Sequence, residues 1–348
     1  MSAFNSIAGR KVELEDTPFV IAEIGQAHEG SLGTAHAYID ALASTGVNAV
    51  KFQMHIADAE SSIHEPFRVK FSLEDQTRMD YWRRMGFTLD QWKGLKEHCD
   101  AVGLEFLCSP FSNLSVDWLE EIGVGRYKIG SGEVNNFLIL ERIARTQKPV
   151  LLSSGMSSYA ELDATVSFLR ERNVRFSILQ CTTAYPTMPE QYGLNMIGAL
   201  CERYGVPVGY SDHSAKIETC IAATALGASV LEFHVAFDRR QFGPDSMSSL
   251  TLTETSQLVD AVRRIGKAMQ HPIDKTNNDA FTELKQIFEK SLAINKDLAL
   301  GHILTFEDLE AKKPKGYGIA ASKFKEVIGK TLKFDKKKWD FLNPEDLI

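Results

Sequence analysis

The stretch Val208–His234 reads VGYSDHSAKIETCIAATALGASVLEFH. Its start, Val208–Tyr210, runs into Ser211-Asp212-His213, the pattern of a buried strand with polar groups at its carboxyl end. The small-residue run Ile217–Leu226 reads as a helix, and Gly227 stands where a helix commonly ends in a left-handed residue. A second strand, Ser229–His234, follows and ends in another histidine. Strand, helix and strand, with polar residues at both strand ends, is the repeat of a parallel α/β sheet or barrel. In such folds the carboxyl ends of the strands carry the site. His213 and His234 at neighbouring strand ends therefore suit one shared metal ion, with Asp212 beside one and Glu232 two residues before the other. Two imidazoles without matched thiolates fit a divalent metal that keeps positions open for substrate and water. The plainer alternative for each is a hydrogen-bonded core histidine.

The same unit recurs along the chain. Strands are expected to start near 19, 49, 104, 126, 150, 176, 208 and 229, each followed by a helix, and Thr253–Ala268 reads as the final helix. Eight such units predict a (β/α)8 TIM barrel. Polar residues gather at the strand ends: Glu23, Lys51, Ser109, Lys128, Ser153, Thr183, His213 and His234. Side chains alternate faces along a strand, so Lys51 and Gln53 share a face, as do Ile21 and Glu23. A lysine inside a short apolar strand needs an anion to meet it, either a ligand or Glu23. Lys128 precedes Gly130-Ser131-Gly132-Glu133, where glycines let backbone N–H groups approach an anion. The polar insertion 57–88 carries His64, Glu65, Arg68, Arg78, Arg83 and Arg84. It reads as a lid or substrate loop, with plain solvated charge as the alternative.

The barrel is assigned to residues 1–270, a linker around Pro272 and Asn277-Asn278 to 271–284, and a small second domain to 285–348. That domain has few large apolar residues and is expected to dock on a partner surface. The net charge of −7 gives no support for nucleic-acid binding. No run is long and apolar enough to cross a membrane, and 1–10 lacks the apolar core of a signal peptide. The five cysteines, Cys99, Cys108, Cys181, Cys201 and Cys220, show no C-x-x-C spacing. They read as small buried hydrophobes in a reducing compartment, so a soluble cytoplasmic protein is expected. No G-x-x-x-x-G-K-[ST] motif supports an ATP-driven reaction.

Two buried lysines and several hydroxyls around a metal suit a phosphorylated, carboxylated ligand. The quoted residues extend this reading. The chain resembles the sialic acid (nonulosonate) synthases in Ile21-Ala22-Glu23-Ile24-Gly25 with His28 and Gly30, and in Val50-Lys51-Phe52-Gln53. The match continues through Ser109-Pro110-Phe111, Tyr127-Lys128-Ile129-Gly130-Ser131-Gly132-Glu133 and Leu152-Ser153-Ser154-Gly155-Met156. It ends with Cys181-Thr182, Tyr185-Pro186, Ser211-Asp212-His213, Glu232-Phe233-His234 and Gly243-Pro244-Asp245. The stretch 291–348 resembles the antifreeze-protein-like (SAF) domain of these synthases.

The resemblance implies a TIM barrel that condenses phosphoenolpyruvate with an N-acylated hexose. It implies His213 and His234 as ligands of a divalent metal, manganese first, with magnesium or cobalt as alternatives. Lys51, Ser109, Lys128, Ser131, Ser153 and Ser211 are then phosphoenolpyruvate contacts. Glu23, Glu133, Tyr185 and Asp245 face the sugar, Gln53 and Thr183 join the substrate site, and Glu23, Lys51, Lys128 and Glu133 form the catalytic set. It further implies a domain-swapped homodimer in which one subunit's small domain caps the other's barrel. Two positions depart from the family pattern: Thr183 replaces an Asn or Ser, and Lys313-Pro314-Lys315-Gly316-Tyr317-Gly318 replaces Arg-Pro-Gly-x-Gly. Lys313 cannot reproduce a bidentate guanidinium contact. N-acetylmannosamine, a diamino sugar on the way to legionaminic or pseudaminic acid, and a phosphorylated sugar are thus all open. A Schiff-base aldolase acting on a keto acid and a non-catalytic sugar-binding barrel are the alternative functions.

Overall fold

The structure is a computed structural model that describes residues 18–69 and 71–348. It divides after His271 into two compact units. The first alternates strands and helices: β1 Phe19–Gly25, α1 Leu32–Ala43, β2 Ala49–Met54, α2 Ala57–Glu60, α3 Arg78–Met85 and α4 Leu89–Ala101. Next come β3 Glu105–Pro110, α5 Asn113–Ile122, β4 Tyr127–Ile129, α6 Phe137–Ala144, β5 Val150–Ser153 and α7 Tyr159–Glu171. The unit ends with β6 Phe176–Cys181, α8 Met196–Tyr204, β7 Val208–Asp212, α9 Ile217–Ala225, β8 Val230–His234 and α10 Leu252–Gln270.

The eight strands pair in the order β3-β2-β1-β8-β7-β6-β5-β4, and every pairing is parallel. The two ends of that order, β3 and β4, lie side by side and complete the circuit. This is the expected (β/α)8 barrel. Local chemistry starts and stops the helices. Thr88, Ser112, Ser158 and Thr251 cap α4, α5, α7 and α10, each accepting a backbone N–H of the first turn in a reciprocal capping box. Gly227 after α9 has φ +90, the left-handed turn its position suggested.

Strand periodicity sorts the barrel interior into layers. Ile21, Ala49, Leu107, Leu151, Leu179 and Val230 form a small buried apolar cluster of their own. Two residues further along those strands, on the same face, stand Glu23, Lys51, Ser109, Ser153, Cys181 and Glu232. The larger core fills the space between strands and helices, with Phe52, Phe106, Phe233 and Trp92 among its bulkiest members. Among the described residues no helix is long and apolar enough to cross a membrane.

Segment 57–88 is less polar in effect than its composition suggests. Ala57, Tyr81, Trp82 and Met85 form a separate buried cluster, with Phe67, Phe71 and Met79 packed against it. The second unit holds α11 Thr282–Phe288 and an antiparallel pair, β9 Ser291–Ile294 with β10 Leu309–Lys312. Its core is Leu292, Ile294, Leu298, Leu304, Val327, Leu332, Leu342 and Leu347. Helix α11 starts within the stretch read as linker and runs past its end, because Thr282–Phe288 supplies a helical turn where Pro and Asn suggested none.

Candidate active site

The polar layer is an ion cluster. Lys51 pairs with Glu23 and lies 3.7 Å from Glu232 Oε2, while Lys128 Nζ lies 3.1 Å from Glu232 Oε1. Ser211 Oγ donates to Glu232 Oε1 at 2.9 Å. All five residues are buried. Burial works against the charge of Glu232, but Lys128 and Lys51, with bonds from Lys128 and Ser211, hold its carboxyl far below the usual range, at about 2. Burial pushes the Lys51 ammonium down to about 8, with Glu232 opposing and Lys128 adding repulsion. Glu23 Oε1 and both amide atoms of nearby Gln26 are buried without a partner. Unpaired buried polar atoms are costly, so the layer is built to receive something.

Beside it, Tyr185 stacks on His213 at 4.2 Å, and the rings of His213 and His234 are 5.3 Å apart. His213 Nδ1 lies 2.9 Å from the Thr182 carbonyl. Donation there fixes the tautomer with its lone pair on Nε2, the arrangement typical of a metal-ligating histidine. Burial keeps His234 neutral, its pKa lowered to about 3, and neutral imidazole is the ligating form. The pair therefore fits a divalent metal. No third His, Cys, Asp or Glu converges with them among the described residues, so other positions would fall to substrate and water. Asp212 is not part of this set: it accepts from Ser214 Oγ at 2.8 Å, because strand alternation turns it away from Ser211.

Above the ion layer lies a cavity of about 370 Å³, an ordinary size for a small-molecule site. Gln53, Ser131, Glu133, Thr183, Tyr185, His234 and Asp245 line it. Gly155 lets the β5 turn approach closely: a Cβ there would lie 2.3 Å from Ser131 Oγ and 2.5 Å from Thr183 Oγ1. Ser131 and Ser153 share a hydrogen bond of 2.8 Å, and Ser109 is buried opposite Gln53 in the β2–β3 register. Burial raises the Glu133 carboxyl, with Asn136 opposing. The insertion supplies the rim. Arg68 lies 4.1 Å over the Tyr185 ring and 2.6 Å from Asp245, and Arg78 lies 3.1 Å from Glu65.

The structure thus brings together the barrel residues assigned from the sequence to the catalytic, substrate and metal sites, but not Asp212, nor His64, Arg83 and Arg84 of the insertion, which lie off the cavity. Lys313 belongs to the second unit, where its ammonium lies 5.0 Å from the Phe288 ring. Sequence reasoning assigned no role to Glu232 as the shared counter-ion, although its place two residues before His234 puts it on the same face. It also passed over Gln26, His55, Glu60 and Cys181. Cys181 Sγ is 4.0 Å from His213 Nδ1. Burial opposes charge on both, yet the contact raises the histidine and lowers the thiol to about 7.

An eight-stranded parallel barrel with a buried ion layer and a histidine pair at its carboxyl face defines a small-molecule barrel enzyme. The chain belongs to the NeuB family, whose model matches residues 38–274. It is 33% identical over 317 residues to the N,N'-diacetyllegionaminic acid synthase of Campylobacter jejuni, covering 89% of this chain and 94% of that protein. It is 34% identical over 315 residues to the N-acetylneuraminate-9-phosphate synthase of Homo sapiens, covering 89% and 87%. Among solved structures, the N-acetylneuraminic acid (sialic acid) synthetase of Leptospira borgpetersenii superposes with a TM-score of 0.69 at 31% identity, covering 77% of this chain and 90% of that one.

Proposed function

We propose that this protein is a transferase that condenses phosphoenolpyruvate with an N-acylated hexose to give a nine-carbon 2-keto sugar acid and phosphate. The observation that carries the reading is the buried layer of Lys51, Lys128, Glu23 and Glu232, with Gln53 and His234, two positions further along the strands of Lys51 and Glu232, lining a polar cavity. Lys51 and Lys128 hold the phosphate and carboxylate of phosphoenolpyruvate, with Ser109, Ser131, Ser153 and Ser211 as hydroxyl partners. Glu232 keeps both ammonium groups in place before the anion arrives. His213 and His234 would hold a divalent metal, manganese first, which when bound supplies Lewis-acid polarisation of the sugar aldehyde. C3 of phosphoenolpyruvate forms the bond to the aldehyde carbon, water adds at C2, and phosphate leaves with cleavage of its C–O bond. The unpartnered Oε1 of Glu23 is the group to hold or pass a proton at the aldehyde oxygen or the water.

Relatives named for legionaminic, pseudaminic and neuraminic 9-phosphate products support the nine-carbon product class. The lowered Lys51 pKa suits a Schiff-base aldolase too. Its contact with Glu23 favours the charged clamp, and trapping with borohydride separates the two. The deciding experiment incubates phosphoenolpyruvate, manganese and a panel of N-acetylmannosamine, its 6-phosphate and diacetamido hexoses. Mass spectrometry is expected to find one nine-carbon product with equimolar phosphate. Pyruvate, or no product from any sugar, overturns the reading.

We further infer a cytoplasmic homodimer in which the second unit of one subunit completes the other's site. Support comes from the exposed Leu284, Ile287 and Phe288 on α11, an apolar face that suits cover by another surface. Mixing inactive Lys313→Ala and His213→Ala subunits is expected to restore activity; a mixture as inactive as its parents contradicts the exchange.

A further inference from the structure

One wall of the cavity is unused by this chemistry. His55 follows β2 and is buried. Its ring lies parallel between Trp82 and Phe111, with centroids 3.7 and 4.2 Å away. Nδ1 donates to Glu60 Oε1 at 2.5 Å, and Nε2 lies 3.2 Å from one end of the Gln53 amide, whose N–H₂ is the end that can donate to a neutral ring. The sandwich and the two bonds leave the imidazole one orientation. Gln53 is thereby gripped at one end of its amide, and the other end remains for a ligand.

Glu60 comes from the short helix α2 and lines the same cavity. One of its oxygens holds His55, while the other, Oε2, is buried without a hydrogen-bond partner. A carboxylate can only accept, so Oε2 lacks a donor. Glu133 stands close enough for the two charges to repel. Two carboxylates on one wall suit hydroxyl and amide N–H groups as donors.

We propose that Glu60 and His55 form the recognition unit for the uncharged, hydroxyl- and amide-bearing part of the acceptor. Glu60 Oε2 accepts a hydrogen bond from the acceptor, and His55 is a positioning residue that acts through Gln53. This rests on the condensing function proposed above.

The test uses the full-length protein and the sugar that wild type turns over. Glu60→Gln is expected to raise KM for the sugar about tenfold or more, the loss of one charge-assisted bond, with KM for phosphoenolpyruvate changed less than about twofold. His55→Phe keeps the stack but not the bonds, and His55→Asn keeps a donor towards Glu60 without reaching Gln53. His55→Asn is expected to raise KM for the sugar in a wild-type background and to add nothing to Gln53→Ala, because it spares the Glu60 contact and acts through that amide, whereas His55→Phe also frees Glu60 and is expected to add to Gln53→Ala. Thermal unfolding of each variant separates this from loss of fold. Unchanged sugar KM in Glu60→Gln, or a His55→Asn effect that adds fully to Gln53→Ala, overturns the inference alone. A wild type that accepts none of the sugars overturns both the inference and the function it rests on.

Discussion

The floor and the rim of the cavity are both rich in ion pairs, yet they are held by different physics. On the floor, Lys51, Lys128, Glu23 and Glu232 are almost wholly buried, and their charges are balanced within the layer. At the rim, Arg68 and Asp245 are also in close contact, at 2.6 Å, but their side chains keep 37% and 20% of their exposure. Removing one partner of a buried pair strands a charge in low dielectric, whereas water screens the survivor of an exposed pair. The floor is therefore held rigidly, and the rim is freer to rearrange.

The sharpest break in this comparison comes from the histidines. His213→Ala and His234→Ala are each expected to abolish manganese binding in calorimetry and manganese-stimulated turnover while the circular dichroism spectrum is unchanged. Near-normal turnover in chelator-treated buffer by either variant contradicts the shared-metal assignment.

Glu232→Gln removes the only carboxylate paired with Lys128 among the described residues. It is expected to cost about 3–5 kcal/mol, a fall of roughly 10 °C in Tm for a domain of this size. Inorganic phosphate is expected to raise the Tm of the variant more than that of wild type, since an anion replaces the missing charge. A Tm equal to wild type without phosphate shows that the layer is not a tightly balanced cluster.

His28 sharpens the role of burial. It is buried against Phe87 at 4.7 Å, and Nδ1 accepts the Gly30 N–H at 3.1 Å. Burial, with His55 adding repulsion, lowers its pKa from 6.5 to about 3. The unfolded chain thus takes up a proton near pH 6.5 that the folded chain refuses. The stability this histidine supplies is present above pH 6.5 and is lost as pH falls towards 3, by about 1.4 kcal/mol per unit. His28→Asn keeps an acceptor for Gly30 and is expected to flatten the fall in urea-unfolding free energy between pH 6 and 4. An unchanged slope assigns the acid sensitivity elsewhere.

Arg68→Ala gives the smallest effect. An exposed pair is worth about 0.5–1 kcal/mol or less, so Tm is expected to move by about 2 °C at most. The change is expected in KM for the sugar, because Arg68 covers Tyr185 and Asp245. A large fall in Tm would place Arg68 with the floor.

The same contrast explains what could be read in the sequence. Residues two apart on a strand share a face, so the sequence alone aligns Glu23, Lys51, Lys128, His213 and His234 at one end of a barrel. Glu232 obeyed the same rule, and only its role as counter-ion to both lysines depended on how neighbouring strands register. The rim follows no such period. Arg68 and Glu60 reach the cavity because Tyr81, Trp82, Phe67 and Phe71 pack the insertion into its own small core, a contact pattern set by long-range packing. His55 carries no local signal either, because the rings that sandwich it, Trp82 and Phe111, lie 27 and 56 positions further along the chain.

The central claim is that the buried lysines form the phosphoenolpyruvate receptor. Calorimetric titration of phosphoenolpyruvate, without sugar, into wild type, Lys51→Met and Lys128→Met tests it directly. Each variant that remains folded is expected to bind about 10–150-fold more weakly, the equivalent of about 1.5–3 kcal/mol for a charge-assisted bond. Wild-type affinity in both variants would contradict the account.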